Sequence, residues 1–402
     1  METLIELYVN ERFDDLAAVF TFLPKRTVFL CAGFMPDKAE RQGITRFIKS
    51  VREDAEVRFT DIGNRSLPSL FKKIGQTAGE FPDCAIDMTG GPTGALVAAH
   101  RYCTNNRVRS FFYDSRRKKF VNILGMAGEI AKTKLPSLDI PQLIAMGGGK
   151  VTGSGHSVKP LEANLDCAKR VLEIYRKDLV SWNALSEYLQ YACKHYYDSK
   201  NQLFLGPSTL LNNSILLYAN KRIMRELEEA GAVRELVIEG ESLSFRFRSG
   251  FIKELLTTVG MCLELFIYLS AREFGDYDDV DMSVVFDWDG VIHGNFNDTV
   301  NEIDVVMTKG LSSSFVSCKS ARPDTRDLYE ISYIASRFGG RNASVVLATA
   351  ADLSGDSWAN YMRARDMGIT VIERRDIEKG MEHTSALLRE PTWLEERPEK
   401  QN

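Results

Sequence analysis

From residue 27 to residue 124, apolar positions come in short runs separated by helix-forming stretches. Residues 27–32 (TVFLCA) run apolar up to Gly33, residues 56–61 (EVRFTD) alternate, and residues 84–88 (CAIDM) lead into Thr89-Gly90-Gly91-Pro92-Thr93-Gly94. A small-residue helix is expected from residue 95 to 102. Residues 108–113 and 120–124 then flank the polar turn Asp114-Ser115-Arg116-Arg117-Lys118-Lys119, a hairpin signature. Short buried strands interleaved with helices predict an α/β domain with a mainly parallel sheet covered on both faces.

Residues 147–155 (GGGKVTGSG) read as a linker. They are not a Walker A loop, because Ile144 stands where its first glycine belongs and Val151 where Ser or Thr belongs. Beyond them Leu161, Leu165, Ala168, Leu172 and Tyr175 share one helical face, and Trp182, Leu185, Leu189 and Ala192 another. A third helix is predicted over 209–230, stopping at Gly231. Leu236 and Ile238 alternate into a turn at Gly240-Glu241, and Leu243, Phe245 and Phe247 alternate out of it. Helices followed by such a wing suggest a winged-helix-like connector. With Arg246 and Arg248 on the outward face, it is either a DNA contact or a dimerising or spacing element. From Gly250 the pattern predicts one long helix over 250–272, then strands at 282–288, 302–308 and 314–320. A helix at 325–338, a strand at 344–350, a helix at 357–367 and a strand at 370–372 follow. The chain therefore divides into 1–150, a connector over 151–248, a second α/β domain over 249–380, and a charged tail over 381–402 expected to be poorly ordered.

Composition narrows the function. A net charge of -4 on 402 residues argues against a surface that coats nucleic acid non-specifically, without excluding a local groove. The start of the chain is acidic and no charge-free apolar run reaches 18 residues, so neither a secretory signal nor a membrane span is expected. The seven cysteines form no Cys-x-x-Cys pair and the five histidines no ligand spacing, which predicts a reduced, cytoplasmic protein without a zinc ribbon.

The candidate chemistry lies in the second half. In Asn301-Glu302-Ile303-Asp304-Val305-Val306, period-2 geometry sets Glu302 and Asp304 on one strand face and Ile303 and Val305 on the core face. Paired acids directly before a β-branched run are unusual in a strand. Ser317 and Lys319 share a face of the next strand, where Lys319 can meet the two carboxylates. Glu264, on the apolar stripe Met261-Cys262-Leu263-Glu264-Leu265-Phe266-Ile267, needs a partner if buried, and a cation would be one. Carboxylates that hold hard divalent cations, with an ammonium beside them, suit phosphodiester hydrolysis.

These stretches, with Phe315-Val316-Ser317-Cys318-Lys319-Ser320, Asp327-Leu328-Tyr329-Glu330 and the turn at Asp87-Met88-Thr89-Gly90-Gly91-Pro92-Thr93-Gly94, resemble one family. It joins a CRISPR-associated Rossmann-fold (CARF) domain to a PD-(D/E)xK nuclease, whose core also runs helix, three strands, helix, strand. The resemblance implies a homodimer that binds cyclic tetra-adenylate across paired CARF domains. It implies a nuclease, using manganese or magnesium, that cuts single-stranded DNA or RNA or nicks duplex DNA. Glu302, Asp304 and Lys319 would then be catalytic. Glu264, Asp304 and the backbone carbonyl of Cys318 would hold the metal. Gly33, Phe34, Met35, Thr89, Gly90, Gly91, Thr93 and Gly94 would face the ligand, glycines and a helix N-terminus suiting a phosphate. The chain departs from the family at Ser317, where an acid is usual, and at Pro92-Thr93-Gly94, where the turn usually carries Lys.

Two alternatives stand beside this. Val285-Phe286-Asp287-Trp288-Asp289-Gly290-Val291-Ile292 resembles the first motif of haloacid-dehalogenase phosphatases, with Asp287 as nucleophile and Asp289 as acid; as a turn, Asp287 to Gly290 reads as a hairpin beside the nuclease site. A ligand-controlled DNA-binding regulator with a degenerate nuclease domain is the other, favoured by Ser317.

Overall fold

The computed structural model describes residues 1–9, 12–63, 66–114, 117, 119–154, 158–291, 300–340 and 343–389. The first half runs β1 (Thr3–Tyr8), α1 (Arg12–Phe22), β2 (Arg26–Cys31), α2 (Lys38–Val51), β3 (Glu56–Asp61), α3 (Leu67–Glu80), β4 (Cys84–Asp87), α4 (Thr93–Asn106), β5 (Arg109–Asp114) and β6 (Lys119–Leu124). Its sheet has the order β3-β2-β1-β4-β5-β6, parallel except for the edge strand β6. The hairpin of β5 and β6 is the one expected. The central strand β1 is not in the sequence pattern. All six of its residues are buried, so it shows no alternation.

After β6 come α5 (Ala127–Lys132), α6 (Ile140–Met146) and β7 (Lys150–Ser154). The expected linker over 147–155 is corrected here. Lys150–Ser154 is an edge strand, and Gly147 and Gly149 serve close packing instead of flexibility. A Cβ on Gly149 would meet Asp287 O at 2.7 Å and the Phe338 ring at 2.8 Å, and one on Gly147 would meet the Phe338 backbone at 2.8 Å. Gly147→Ala is therefore expected to destabilise the fold by about 1–3 kcal/mol, read as a lower melting temperature.

The connector holds α7 (Val158–Lys177), α8 (Leu179–Tyr196), β8 (Tyr197–Asp198), β9 (Leu203–Pro207), β10 (Thr209–Asn212), β11 (Ile215–Tyr218), α9 (Lys221–Glu229), β12 (Val233–Glu239) and β13 (Ser242–Phe247). The wing of β12 and β13 is as predicted, in a sheet of order β12-β13-β9-β8. The predicted helix over 209–230 is corrected to the hairpin β10–β11 followed by α9. Asn213 and Ser214 both take positive φ, 46° and 69°, which is the tight two-residue hairpin turn.

The second α/β domain comprises α10 (Gly250–Thr257), α11 (Met261–Phe274), β14 (Asp279–Asp287), β15 (Val300–Lys309), β16 (Ser312–Lys319), α12 (Thr325–Gly339), β17 (Ser344–Thr349), α13 (Leu353–Asp356), α14 (Trp358–Asp366), β18 (Ile369–Ile372), α15 (Arg374–Ile377) and α16 (Met381–Arg389). The one long helix expected over 250–272 is two, bent by 110° at Gly260, whose φ of 96° ends the first and starts the second. The first part of the tail is ordered as α16, with Leu388 buried in the core that holds α11. The sheet order is β18-β17-β16-β15-β14-β7, so β7 joins this sheet and not the N-terminal one. One apolar core runs from Leu4, Phe29 and Phe111 through Leu143 and Ile144 to Val306, Ile331 and Phe338, tying the two α/β halves together. Among the described residues no single helix is long and apolar enough to cross a membrane.

Candidate active site

The candidate site forms where two strands part. β15 and β16 pair from Lys309–Ser312 up to Val305–Val316, and no pair is formed beyond. Asp304 fills the gap: its Oδ2 accepts the amide N–H of Cys318 at 2.5 Å and lies 3.5 Å from the Ser317 hydroxyl. On the other side, Ser283 of β14 has a φ of 51°, and the pairing skips it opposite Asp304. The strands turn over at this point. Met282 and Val305 pack in the core with α11, whereas Val284 and Ile303 pack in the core with α12. Ile303 and Val305 thus do not share a face, although simple alternation predicts that they would; the alternation of β15 breaks at Asp304, the position opposite left-handed Ser283 that the pairing skips.

A cavity of about 70 Å³ sits at this fork, with Glu302, Asp304, Ser317, Lys319, Asp327 and Glu330 among its lining residues. That is room for several waters at about 10–15 Å³ each. Glu264 approaches from the opposite side, in the first turn of α11, where the helix dipole favours a carboxylate. The Ser283 hydroxyl donates to its Oε2 at 3.2 Å. Burial, and then the nearby Asp304 charge, push the Glu264 carboxyl up to about 7. Burial likewise raises Asp304, against the lowering effect of the Cys318 N–H and of Lys319.

Lys319 is positioned by a residue to which the sequence assigns no role. Its Nζ lies 3.0 Å from Asp327 Oδ1. Asp327 is itself held in a capping box at the start of α12, its Oδ2 accepting the Asp324 N–H at 2.7 Å. Burial lowers the Lys319 pKa, but the hydrogen bond to Asp327 and the attraction of Asp327, Asp304 and Glu330 outweigh it, and the net shift is upward. The signal for Asp327 is its place as the third helical residue after Asp324. Ser317, in the acid's place, contributes a hydroxyl beside Asp304 in place of a charge.

The donor set suits a divalent cation. Two desolvated carboxylates that are pushed toward the neutral form are groups a cation would return to the charged form. Among the described residues no group of three or more His, Cys, Asp or Glu side chains is arranged to hold an ion. The set fits a metal that keeps several waters and takes one or two carboxylates, as magnesium does.

The expected ligand loops also meet at one edge. In the 3-2-1-4-5 order the crossovers run in opposite senses on either side of β1, so the ends of β1, β2 and β4 flank a crevice where such sheets bind ligands. Phe34, 52% exposed, stacks on Tyr8 at the end of β1 with centroids 6.3 Å apart, and Gly33 beside it has φ 86°. Met35 is half-buried. The Thr89 hydroxyl donates to Asp87 and accepts the Tyr113 N–H at 2.8 Å, so its side chain shapes the turn. Gly90 continues the turn, and Thr93 and Gly94 open α4, whose N-cap Pro92 makes no side-chain cap. Gly91 has φ 113°, and a Cβ there would lie 2.7 Å from Leu7 Cβ. Gly91→Ala should cost about 1–3 kcal/mol and displace the turn, measurable as a lower melting temperature.

The phosphatase reading fits poorly. Asp287 ends β14 between two antiparallel neighbours, β7 and β15, not in a parallel sheet. Asp289 Oδ1 accepts the Val291 N–H at 2.8 Å and shapes the turn. The connection to β15 spans 288–299, longer than a two-residue hairpin, and residues 292–299 lie outside the described residues.

Residues 253–388 match the family described as Card1-like, endonuclease domain. The whole chain superposes on protein VC1899 from Vibrio cholerae with a TM-score of 0.73 at 12% identity, covering 96% of this chain and 98% of that one. It superposes on Can2 from Sulfobacillus thermosulfidooxidans, solved with cyclic tetra-adenylate, with a TM-score of 0.67 at 17% identity, covering 96% and 97%. No curated protein sequence matches the chain. Residues 253–388 are thus similar to a Card1-like endonuclease domain, on an α/β chain whose N-terminal half is a Rossmann-like sheet.

Proposed function

We propose that the chain is a cyclic tetra-adenylate-activated, divalent-metal-dependent nuclease that acts as a homodimer on single-stranded DNA or RNA, or nicks duplex DNA. The observation that carries the reading is the meeting of Glu264, Glu302, Asp304 and Lys319 at the fork of β15 and β16, inside an endonuclease domain. Glu264, Asp304 and the Cys318 carbonyl would hold manganese or magnesium, which supplies an activated water and neutralises the phosphate. Lys319, aimed by Asp327, stabilises the charge that develops on the phosphate oxygens. Glu302, exposed at the cavity mouth, orients the attacking water.

The crevice at the ends of β1, β2 and β4 is the proposed activator site. Support comes from Gly91, which only glycine can fill, from the uncapped start of α4, and from the fold shared with Can2. Purified protein should cut labelled single strands or duplex in manganese or magnesium with the activator, and EDTA should stop it. No cleavage of any of these substrates would overturn the reading.

A further inference from the structure

α12 lines the cavity with one face and turns aromatic rings to solvent on the next. Asp327, Glu330 and Ile331 line the site, while Tyr329 and Tyr333, one turn apart, are 56% and 66% exposed. An exposed pair of tyrosine rings at i and i+4 is not what a solvated helix face requires, since a polar face would serve solubility better. Tyr333 is also held in place. It lies against Trp288, with centroids 5.5 Å apart and planes within 15°, and Trp288 is wedged edge-on against buried Phe338 at 5.0 Å and 83°. The ring is therefore braced from below and open above.

We propose that Tyr329 and Tyr333, backed by Trp288, are a stacking platform for unpaired bases that leads a single strand into the cavity. The inference rests on the nuclease reading and narrows its substrate to nucleic acid with unpaired bases. Three observations favour a nucleic-acid strand over another occupant. The platform is continuous with the cavity, because Glu330 stands between the two tyrosines in sequence and lines it. Exposed Arg326, one turn before Tyr329, adds a cation on the same side of the helix. The cavity lining carries the acids Glu302, Asp327 and Glu330 against the single cation Lys319, which already pairs with Asp327, so rings beside it can hold by its bases a strand whose phosphates find few cations there. Bases inside a duplex are already stacked on one another, so only unpaired ones can use the platform.

The test separates binding from cutting. Fluorescence anisotropy of labelled oligothymidylate is measured against full-length Asp304→Asn protein in EDTA, with and without cyclic tetra-adenylate, alone and with Tyr329→Ala, Tyr333→Ala or Tyr333→Phe added. Each alanine should weaken binding by roughly ten-fold, while phenylalanine, which keeps the ring, should bind like the parent. Binding of a blunt duplex should not change. Equal affinity in the alanine variants, or a parent that binds no single strand under either condition, overturns the platform. So does a change in oligomeric state on removing the tyrosines, which would mean that they contact a second copy of the chain. A parent that binds as predicted, on a wild-type chain that cuts nothing, would sink the nuclease reading and leave the platform standing.

Discussion

Replacing Asp304 with Asn lowers phosphodiester cleavage by about 10²–10³-fold and leaves the fold intact, since the amide oxygen still accepts the Cys318 N–H. Lys319→Ala should lose a similar factor, for a different reason. Its ammonium is built into the site by Asp327, which is fixed in turn by the α12 capping box, so removing it leaves that arrangement aimed at nothing. Asp327→Asn should then slow cleavage less than Lys319→Ala, because it loosens the ammonium without deleting it. Single-turnover rates of the three variants, with melting temperatures as a control for folding, decide the matter. Unchanged cleavage in Lys319→Ala would remove this site from consideration.

Glu264→Gln should make the metal-free protein more stable and the enzyme inactive. The carboxyl of Glu264 titrates at about 7 in the folded chain, against 4.5 ordinarily, chiefly because burial disfavours its charge. Between those values the folded chain holds a proton that the unfolded chain has released, so stability falls as pH rises from about 4.5 to 7. Above pH 7 the wild type carries the full penalty, and the neutral amide avoids it by about 1–3 kcal/mol. Below about pH 4.5 both forms are neutral and the advantage should vanish. Manganese should raise the melting temperature of the wild type at pH 8 but not that of Glu264→Gln. An identical pH profile for the two proteins would show that Glu264 is not desolvated in the folded chain. Cleavage in limiting metal should rise through about pH 7, as the Glu264 carboxyl ionises.

Much of this was legible in the sequence, but unevenly. The strand–helix order of both α/β halves, the wing and the acids of β15 follow from period and turn chemistry. What escaped has identifiable causes. β1 is buried on both faces and carries no alternation. Residues 209–218 look like an apolar helical stretch unless Asn213-Ser214 is recognised as a two-residue turn. The glycines at 147–149 carry the composition of a linker, yet they are small so that α6 and β7 can approach Phe338 and Asp287. At the site, the residues were legible and their faces were not. Both β14 and β15 lose their alternation at left-handed Ser283 and the facing Asp304, and no pattern on β15 announces it.

The corrected position of β7 bears on activation. The segment after the N-terminal sheet contributes α6 to the shared core and β7 to the edge of the nuclease sheet, beside the strand that carries Ser283. A ligand that shifts the N-terminal half can act on the fork of β15 and β16 through packed side chains and a continuous strand, provided it binds the two arrangements with different affinity. The direct measurement is the initial rate of single-stranded DNA cleavage in manganese, with and without saturating cyclic tetra-adenylate. The account predicts stimulation on the order of ten-fold or more, absent in Asp304→Asn. Equal rates with and without the ligand would contradict it.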